Sequence, residues 1–196
     1  MDVAAAQESH GGTGMRTRHA PPWRRVWPAA LGIVVAAGTA YELDDGREAA
    51  PVVAASGLVY LAASASGRRW AAWVAFGVAF VLIALDKFGG TDATPWMLGL
   101  AAVLLVAGLI GQRAGHWWSL PLQTIAMLVL GAIALLATHL SATIGGLVVA
   151  AALLGHTAWD IHHHRTGRVV GHSLAGFCAV LDVLVAVLVA VIALTA

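Results

Sequence analysis

Seven apolar runs separated by short polar breaks constrain the fold of this chain more than any other feature. Of its 196 residues, 60% are hydrophobic and 11% are charged, whereas about 25% of the residues in a soluble domain are charged. A water-soluble domain of this size could not bury so much apolar surface. The runs lie at about 27–42, 50–66, 70–86, 95–111, 119–138, 141–160 and 173–194.

These runs predict an all-α, polytopic helical membrane bundle with about seven transmembrane helices. A span needs ~20 residues, within a range of about 17–25, so the last two runs fit well and the first and fourth are short. The breaks hold turn formers and charges, as helix connections do. We expect one transmembrane domain over residues 23–196, preceded by a disordered cytoplasmic tail over residues 1–22, which are polar and non-periodic.

The basic residues predict the orientation of the bundle. If consecutive runs cross the membrane in alternate directions, only Arg47 and Lys87 fall on one side. Short loops rich in arginine and lysine stay in the cytoplasm, so the N-terminus is expected inside and the C-terminus outside. The opposite, arginine-rich side collects Arg16, Arg18, Arg24, Arg25, Arg68, Arg69, Arg113, Arg165 and Arg168.

The first run has a competing interpretation. Trp23-Arg24-Arg25 followed by an apolar run resembles a secretory signal, and cleavage after Ala40 would leave six spans. The chain contains many Ala and Val residues and a single Lys, a composition typical of a bacterial protein encoded by GC-rich DNA. The expected location is therefore the bacterial cell (plasma) membrane.

Asp182 is the first candidate functional residue, because it is the tenth residue of the 22-residue run that begins at Ser173. At 1.5 Å per residue it lies roughly 14 Å from the start of that helix. An ionisable side chain at mid-membrane costs ~2.5–3.5 kcal/mol on insertion scales. Either Asp182 carries function, or it is a protonated or hydrogen-bonded residue that fixes helix packing.

A second candidate cluster lies at the end of the sixth run, in the stretch GHTAWDIHHHRTGR that begins at Gly155. Helical spacing places His156, Asp160 and His163 on one stripe. Either His156 and Asp160 act with Asp182 as catalytic acid–base groups, or a metal is held by His156, Asp160 and His163 with His172 as fourth ligand. A third interpretation is a solvated helix end whose His and Arg side chains suit the helix dipole. The three consecutive histidines are expected in a cytoplasmic loop or a helix extension.

Tyr60 and Gln123 are the candidate substrate-binding residues. Tyr60 lies about two turns, and Gln123 one turn, inside the predicted cytoplasmic ends of their runs. Together with Asp160 and Asp182 they predict a polar pocket that opens to the cytoplasm.

Three family resemblances follow from these residues. AWDIHHHRTGRVV and SLAGFCAVLDVLVAV together resemble a segment of small multi-pass membrane proteins of actinobacteria, which implies no activity. The spacing H-x3-D-x2-HH resembles one histidine box of membrane di-iron desaturases and hydroxylases, a family that needs several such boxes. Buried carboxylates such as Glu42 and Asp182 in short spans resemble those of small membrane-embedded terpene cyclases, which would imply protonation of a lipid-like substrate.

The best functional hypothesis is a binding or transport protein with a buried proton- or cation-linked site near Asp182. The alternatives are a membrane-embedded enzyme acting on a lipid or isoprenoid, and a structural or assembly subunit of a membrane complex. The expected partners are membrane lipid and a small or lipophilic substrate, with no nucleic acid. No nucleotide-binding glycine pattern occurs, and the sequence indicates neither a cofactor nor an oligomeric state.

Overall fold

The computed structural model describes residues 23–41, 43–111, 113 and 115–195. The predicted disordered tail at residues 1–22 lies outside this part of the chain, as does Glu42. The described residues form seven α-helices and one short 3-10 helix. In chain order they are α1 (Trp23–Ala40), the 3-10 helix (Gly46–Ala49), α2 (Ala50–Ser66), α3 (Ala71–Gly89), α4 (Ala93–Ile110), α5 (Leu120–His139), α6 (Ala142–Thr166) and α7 (His172–Thr195).

Six helical segments are long and apolar enough to cross a membrane, and each coincides with a predicted apolar run. The first of them joins the 3-10 helix to α2, and the other five are α3 to α7. The apolar part of α1, Val26–Ala40, is shorter. The predicted all-helical fold class is therefore confirmed for the described residues, and the six segments are consistent with a membrane protein.

Helix α2 forms the centre of the bundle. Every residue from Ala50 to Ala65 is buried, and α2 packs against α3, α4 and α5. Its many Ala, Ser and Gly residues let neighbouring backbones approach closely. At Gly57, for example, an added Cβ would lie 3.0 Å from the Cα of Met127 in α5. Because α2 is enclosed by other helices, its polar side chains are available to an interior site.

Helices α6 and α7 form the most closely packed pair, and α1 packs on the outside of α7. A left-handed backbone at Gly167, with φ of +59°, ends α6, and the short connection to His172 turns the chain back along α6. The three consecutive histidines therefore lie in the last turns of α6, which was one of the two locations expected for them. This hairpin places Asp182 of α7 beside the middle of α6.

The loops gather into two ends of opposite character. At the arginine-rich end, the Arg168 guanidinium lies 5.2 Å from the Trp118 ring, and the Arg113 guanidinium carbon lies 3.3 Å from an added Cβ at Gly67. At the other end, called here the acidic end, the Arg47 Nη1 donates to the Leu140 carbonyl at 2.9 Å. The acidic end carries Asp44, Asp45, Glu48, Asp86 and Asp92.

Arg47 ties the 3-10 helix to the turn between α5 and α6. Its Nη2 lies 2.6 Å from the Asp45 Oδ2. The hydrogen bonds that the Arg47 side chain donates to the Asp45 carboxylate hold the pKa of that carboxyl below its usual value. Beneath this pair the chain has no room for side chains, since an added Cβ at Gly46 would lie 2.9 Å from the Gly146 Cα. The acidic end is therefore held together by the hydrogen bond from Arg47 to Leu140 and by a close backbone contact.

Two glycines of α6 give a matched test of this packing. An added Cβ at Gly145 would lie 2.5 Å from the Ala137 carbonyl oxygen, whereas at Gly155 it would meet nothing within 4 Å. We expect Gly145→Ala to destabilise the protein by about 1–3 kcal/mol, as overpacking does. Gly155→Ala should be neutral or slightly stabilising, because alanine favours a helix more than glycine. Thermal unfolding in detergent measures both, and equal melting temperatures would contradict the close contact at Gly145.

Candidate functional site

A buried cluster of four polar side chains joins α2, α6 and α7. The Nδ1 of His156 lies 2.8 Å from the Oδ2 of Asp182 and 3.3 Å from the Oδ2 of Asp160. The Tyr60 hydroxyl donates a 2.6 Å hydrogen bond to the Oδ1 of Asp160. Relative exposures are 5% for His156, 0% for Asp160, and 1% for Asp182 and Tyr60. The cluster is thus a continuous chain of titratable groups in the bundle interior.

Three structural elements assemble this cluster. His156 and Asp160 are four residues apart and therefore share one face of α6. Asp182 is brought to that face by the α6–α7 hairpin. Tyr60 comes from the central helix, and its ring packs edge-on against His156 with centroids 5.4 Å apart. The predicted catalytic residues, Asp182, Asp160 and His156, are therefore adjacent in the structure, and predicted Tyr60 is bonded to them.

Three predicted residues lie apart from this centre: Gln123, predicted to bind substrate, and His163 and His172, predicted as metal ligands. Gln123 is buried, and its side-chain amide donates to the Trp118 carbonyl at 3.1 Å. His163 contacts the Tyr60 ring at a centroid distance of 4.8 Å, but its Nδ1 lies 3.0 Å from the Trp159 carbonyl oxygen. His172 packs against His164.

The predicted metal set is therefore only half assembled. His156 and Asp160 are together, but the third close ligand atom belongs to Asp182 rather than to His163 or His172. Sequence spacing favoured His163 because spacing relates only residues of the same helix, here α6. The ligand atom from α7 could not be predicted in this way, because its position depends on how α6 and α7 pack.

A cavity of about 750 Å³ reaches Asp182 from the acidic end. Its walls come from α1, α2, α3 and α7 and are mostly apolar, with residues such as Val35, Phe80 and Leu181. Asp182 and Ser56 are polar groups deep in the cavity, and Cys178, the single cysteine of the chain, lies beside them. The polar lining residues at the acidic end, called here the acidic mouth, are Tyr41, Arg47, Glu48, Asp86, Lys87 and Asp92.

The cavity lies towards the end opposite to the one predicted for the pocket mouth. The sequence placed a pocket mouth at the arginine-rich end, yet the side of the cavity nearest that end is lined by Phe76. Phe76 packs on Phe177 at a centroid distance of 4.7 Å, and Trp73 lies 5.3 Å from Phe177 and 5.6 Å from Trp27. This aromatic cluster fills the space between α1, α3 and α7. The predicted depth of each residue along its own helix could not reveal this aromatic cluster, because the rings come from three separate runs.

Two polar atoms of the cluster have no hydrogen-bond partner. They are the Nε2 of His156 and the Oδ2 of Asp160, both fully enclosed by protein. Buried polar atoms are nearly always hydrogen-bonded, so two such atoms without partners at one site are unusual. Asp182 is the member of the cluster that lines the cavity. A ligand in the cavity could therefore influence the whole chain of groups through one carboxylate.

Comparison with protein-family models, curated proteins and solved structures finds no match for this chain.

Proposed function

We propose that this protein is a multi-pass membrane protein that binds or transports a small amphiphilic cation, at a site linked to the uptake or release of a proton or another cation. One observation carries the proposal: Asp182 lines the deep part of an apolar cavity and is also bonded to the buried His156 at 2.8 Å. A cation that pairs with Asp182 competes with His156 for the same carboxylate. Ligand occupancy is thereby coupled to the charge of the His156–Asp160 pair.

The chemistry of the cavity supports a cationic ligand. Its lining contains four acidic residues, Glu48, Asp86, Asp92 and Asp182, and two basic ones, Arg47 and Lys87. Arg47 is already paired with Asp45. The volume of about 750 Å³ falls within the range of about 300–1,000 Å³ typical of small-molecule sites. An apolar body would fit the walls and a positive charge would fit Asp182.

The proposed orientation places this cavity on the outer face of a bacterial cell membrane. Seven crossings, including α1, put the arginine-rich end in the cytoplasm under the positive-inside rule. The N-terminus is then inside and the C-terminus outside, and the acidic mouth faces the cell exterior. A cation arriving from outside would meet Glu48, Asp86 and Asp92 before it reaches Asp182.

Binding of tetraphenylphosphonium, a lipophilic cation, tests the proposal. Isothermal titration of purified full-length protein in detergent should detect binding, and Asp182→Asn should weaken it about tenfold or more, because one unit charge close to the ligand is lost. Asp44→Asn is the matched control, since Asp44 is exposed and does not line the cavity. Absence of binding, or equal loss in both variants, would reject the cation-binding site and favour a structural subunit.

An enzyme acting on a lipid or isoprenoid is the second candidate. The contact between Asp182 and His156 favours it, because a carboxylate and an imidazole at the end of an apolar cavity can act as acid and base. Lipid extracts from cells that express the wild type or Asp182→Asn would separate the two functions. A lipid product present only with the wild type would support the enzyme.

A further inference from the structure

We infer that His156, Asp160 and Asp182 form a binding site for one divalent transition-metal ion. The inference deepens the proposed function by naming the cation linked to the site, and it rests on that function only in this respect. Metal binding at the three side chains is measured without the organic ligand. The two proposals can therefore fail separately.

The geometry of the three ligand atoms fits a metal ion. One nitrogen of His156 and one carboxylate oxygen from each aspartate all lie within 4.8 Å of one another. The two contacts to the His156 Nδ1 are 2.8 and 3.3 Å. Ligand atoms bound to a common ion at about 2.0–2.2 Å lie roughly 3–3.5 Å apart. Small side-chain adjustments would therefore place all three atoms on one ion.

Asp160 presents an unused ligand atom to this centre. The Tyr60 hydroxyl holds its Oδ1, while its Oδ2 is completely buried, has no hydrogen-bond partner and faces the His156 Nδ1 at 3.3 Å. Metal-binding carboxylates are commonly oriented by a hydrogen bond to their other oxygen. Tyr60 is thus a positioning residue that fixes Asp160 for an ion.

The charge of the cluster also favours a divalent ion. Two ionised aspartates and a neutral imidazole carry a charge of −2, whereas a protonated His156 would compensate only half of it. Uncompensated charge in the membrane interior is costly, and a divalent cation would neutralise the cluster. One imidazole and two carboxylates are donors for Zn²⁺, Mn²⁺ and Fe²⁺, and binding would displace any proton from the His156 Nδ1.

A second group of histidines provides the matched control. His162 and His164 are exposed near the end of α6, and the ring of His164 lies 5.4 Å from that of His172. Imidazoles at a surface can also collect metal ions during purification. The experiment must therefore separate the buried centre from this surface group.

The test uses full-length protein purified without a polyhistidine tag, stripped with chelator and loaded separately with Zn²⁺, Mn²⁺ and Co²⁺. Mass spectrometry after desalting should find about one ion per chain. Occupancy should fall to below about one tenth in His156→Gln and Asp160→Asn. The double variant His164→Gln/His172→Gln should keep its ion.

Two readouts keep the inference testable if a variant fails to fold. Co²⁺ bound to wild-type protein should give visible absorption bands that are absent from the stripped protein and retained in the surface double variant. The Tyr60→Phe variant should fold but bind the metal about 10–100-fold more weakly, as is usual when a metal-binding side chain loses a hydrogen bond that orients it. Metal-free wild type after loading, or an ion lost only in the surface double variant, would overturn the site. Tetraphenylphosphonium binding without metal binding would leave the proposed ligand site standing.

Discussion

Replacement of His156 by leucine should destabilise the metal-stripped protein by about 3–5 kcal/mol, the usual cost of removing one partner from a buried ion pair. In the wild type, the His156 Nδ1 contacts Asp182 at 2.8 Å and Asp160 at 3.3 Å. Leucine would leave both carboxylates in the bundle interior without a cationic partner. Thermal unfolding in detergent with excess chelator, followed by circular dichroism, measures the loss.

A double variant separates lost pairing from lost packing. His156→Leu/Asp182→Leu removes a carboxylate together with its partner, so it should recover most of the stability lost in the single variant. Asp160 would keep its hydrogen bond from Tyr60. His162→Leu is the surface control and should change stability little, because His162 is exposed. If the double variant is as unstable as the single one, the charge pairing is not what holds this region together.

The sequence predicted the helices well because long apolar helices are defined by local hydrophobicity. The seven apolar runs coincide with seven α-helices, and the largest shift in a boundary is at the end of α6. There the helix continues through His162, His163 and His164 to Thr166, because Gly167 provides the left-handed backbone that ends it. The hydrophobicity of the sequence falls before the helix ends, so the polar final turns of the helix were not counted within the apolar run.

The candidate residues could be found for a similar reason. Asp182 and Asp160 are conspicuous because charge is rare in such segments, and His156 follows from its four-residue spacing to Asp160. Their mutual contact depends on how α6 and α7 pack. Ser56 was missed as a cavity residue because a small side chain in an apolar run carries no individual signal. The end of the bundle at which the cavity lies could not be predicted either, because it depends on aromatic rings from α1, α3 and α7 that meet only in the folded bundle.

The orientation of the bundle gives the second large effect, since a topology reporter responds almost as all or none. A C-terminal alkaline phosphatase fusion expressed in a bacterial host should be active, because the enzyme folds only outside the cytoplasm. A C-terminal fluorescent protein that requires the cytoplasm should stay dark. The expectation depends on the uneven placement of basic residues in the loops, with Arg68, Arg69, Arg113, Arg165 and Arg168 at one end and Arg47 and Lys87 at the other. An intact but inactive phosphatase fusion would contradict the proposed orientation.

Cys178 provides an independent control on the same proposal. It is the only cysteine of the chain and lines the cavity close to Asp182, so no engineered residue is needed. A small membrane-impermeant thiol reagent added to intact cells should label Cys178 through the acidic mouth, and Cys178→Ala should abolish the signal. The aromatic cluster around Phe76 and Phe177 should block the reagent from the arginine-rich end in inverted vesicles. Labelling only in inverted vesicles would place the acidic mouth in the cytoplasm and reverse the route by which a cation reaches Asp182.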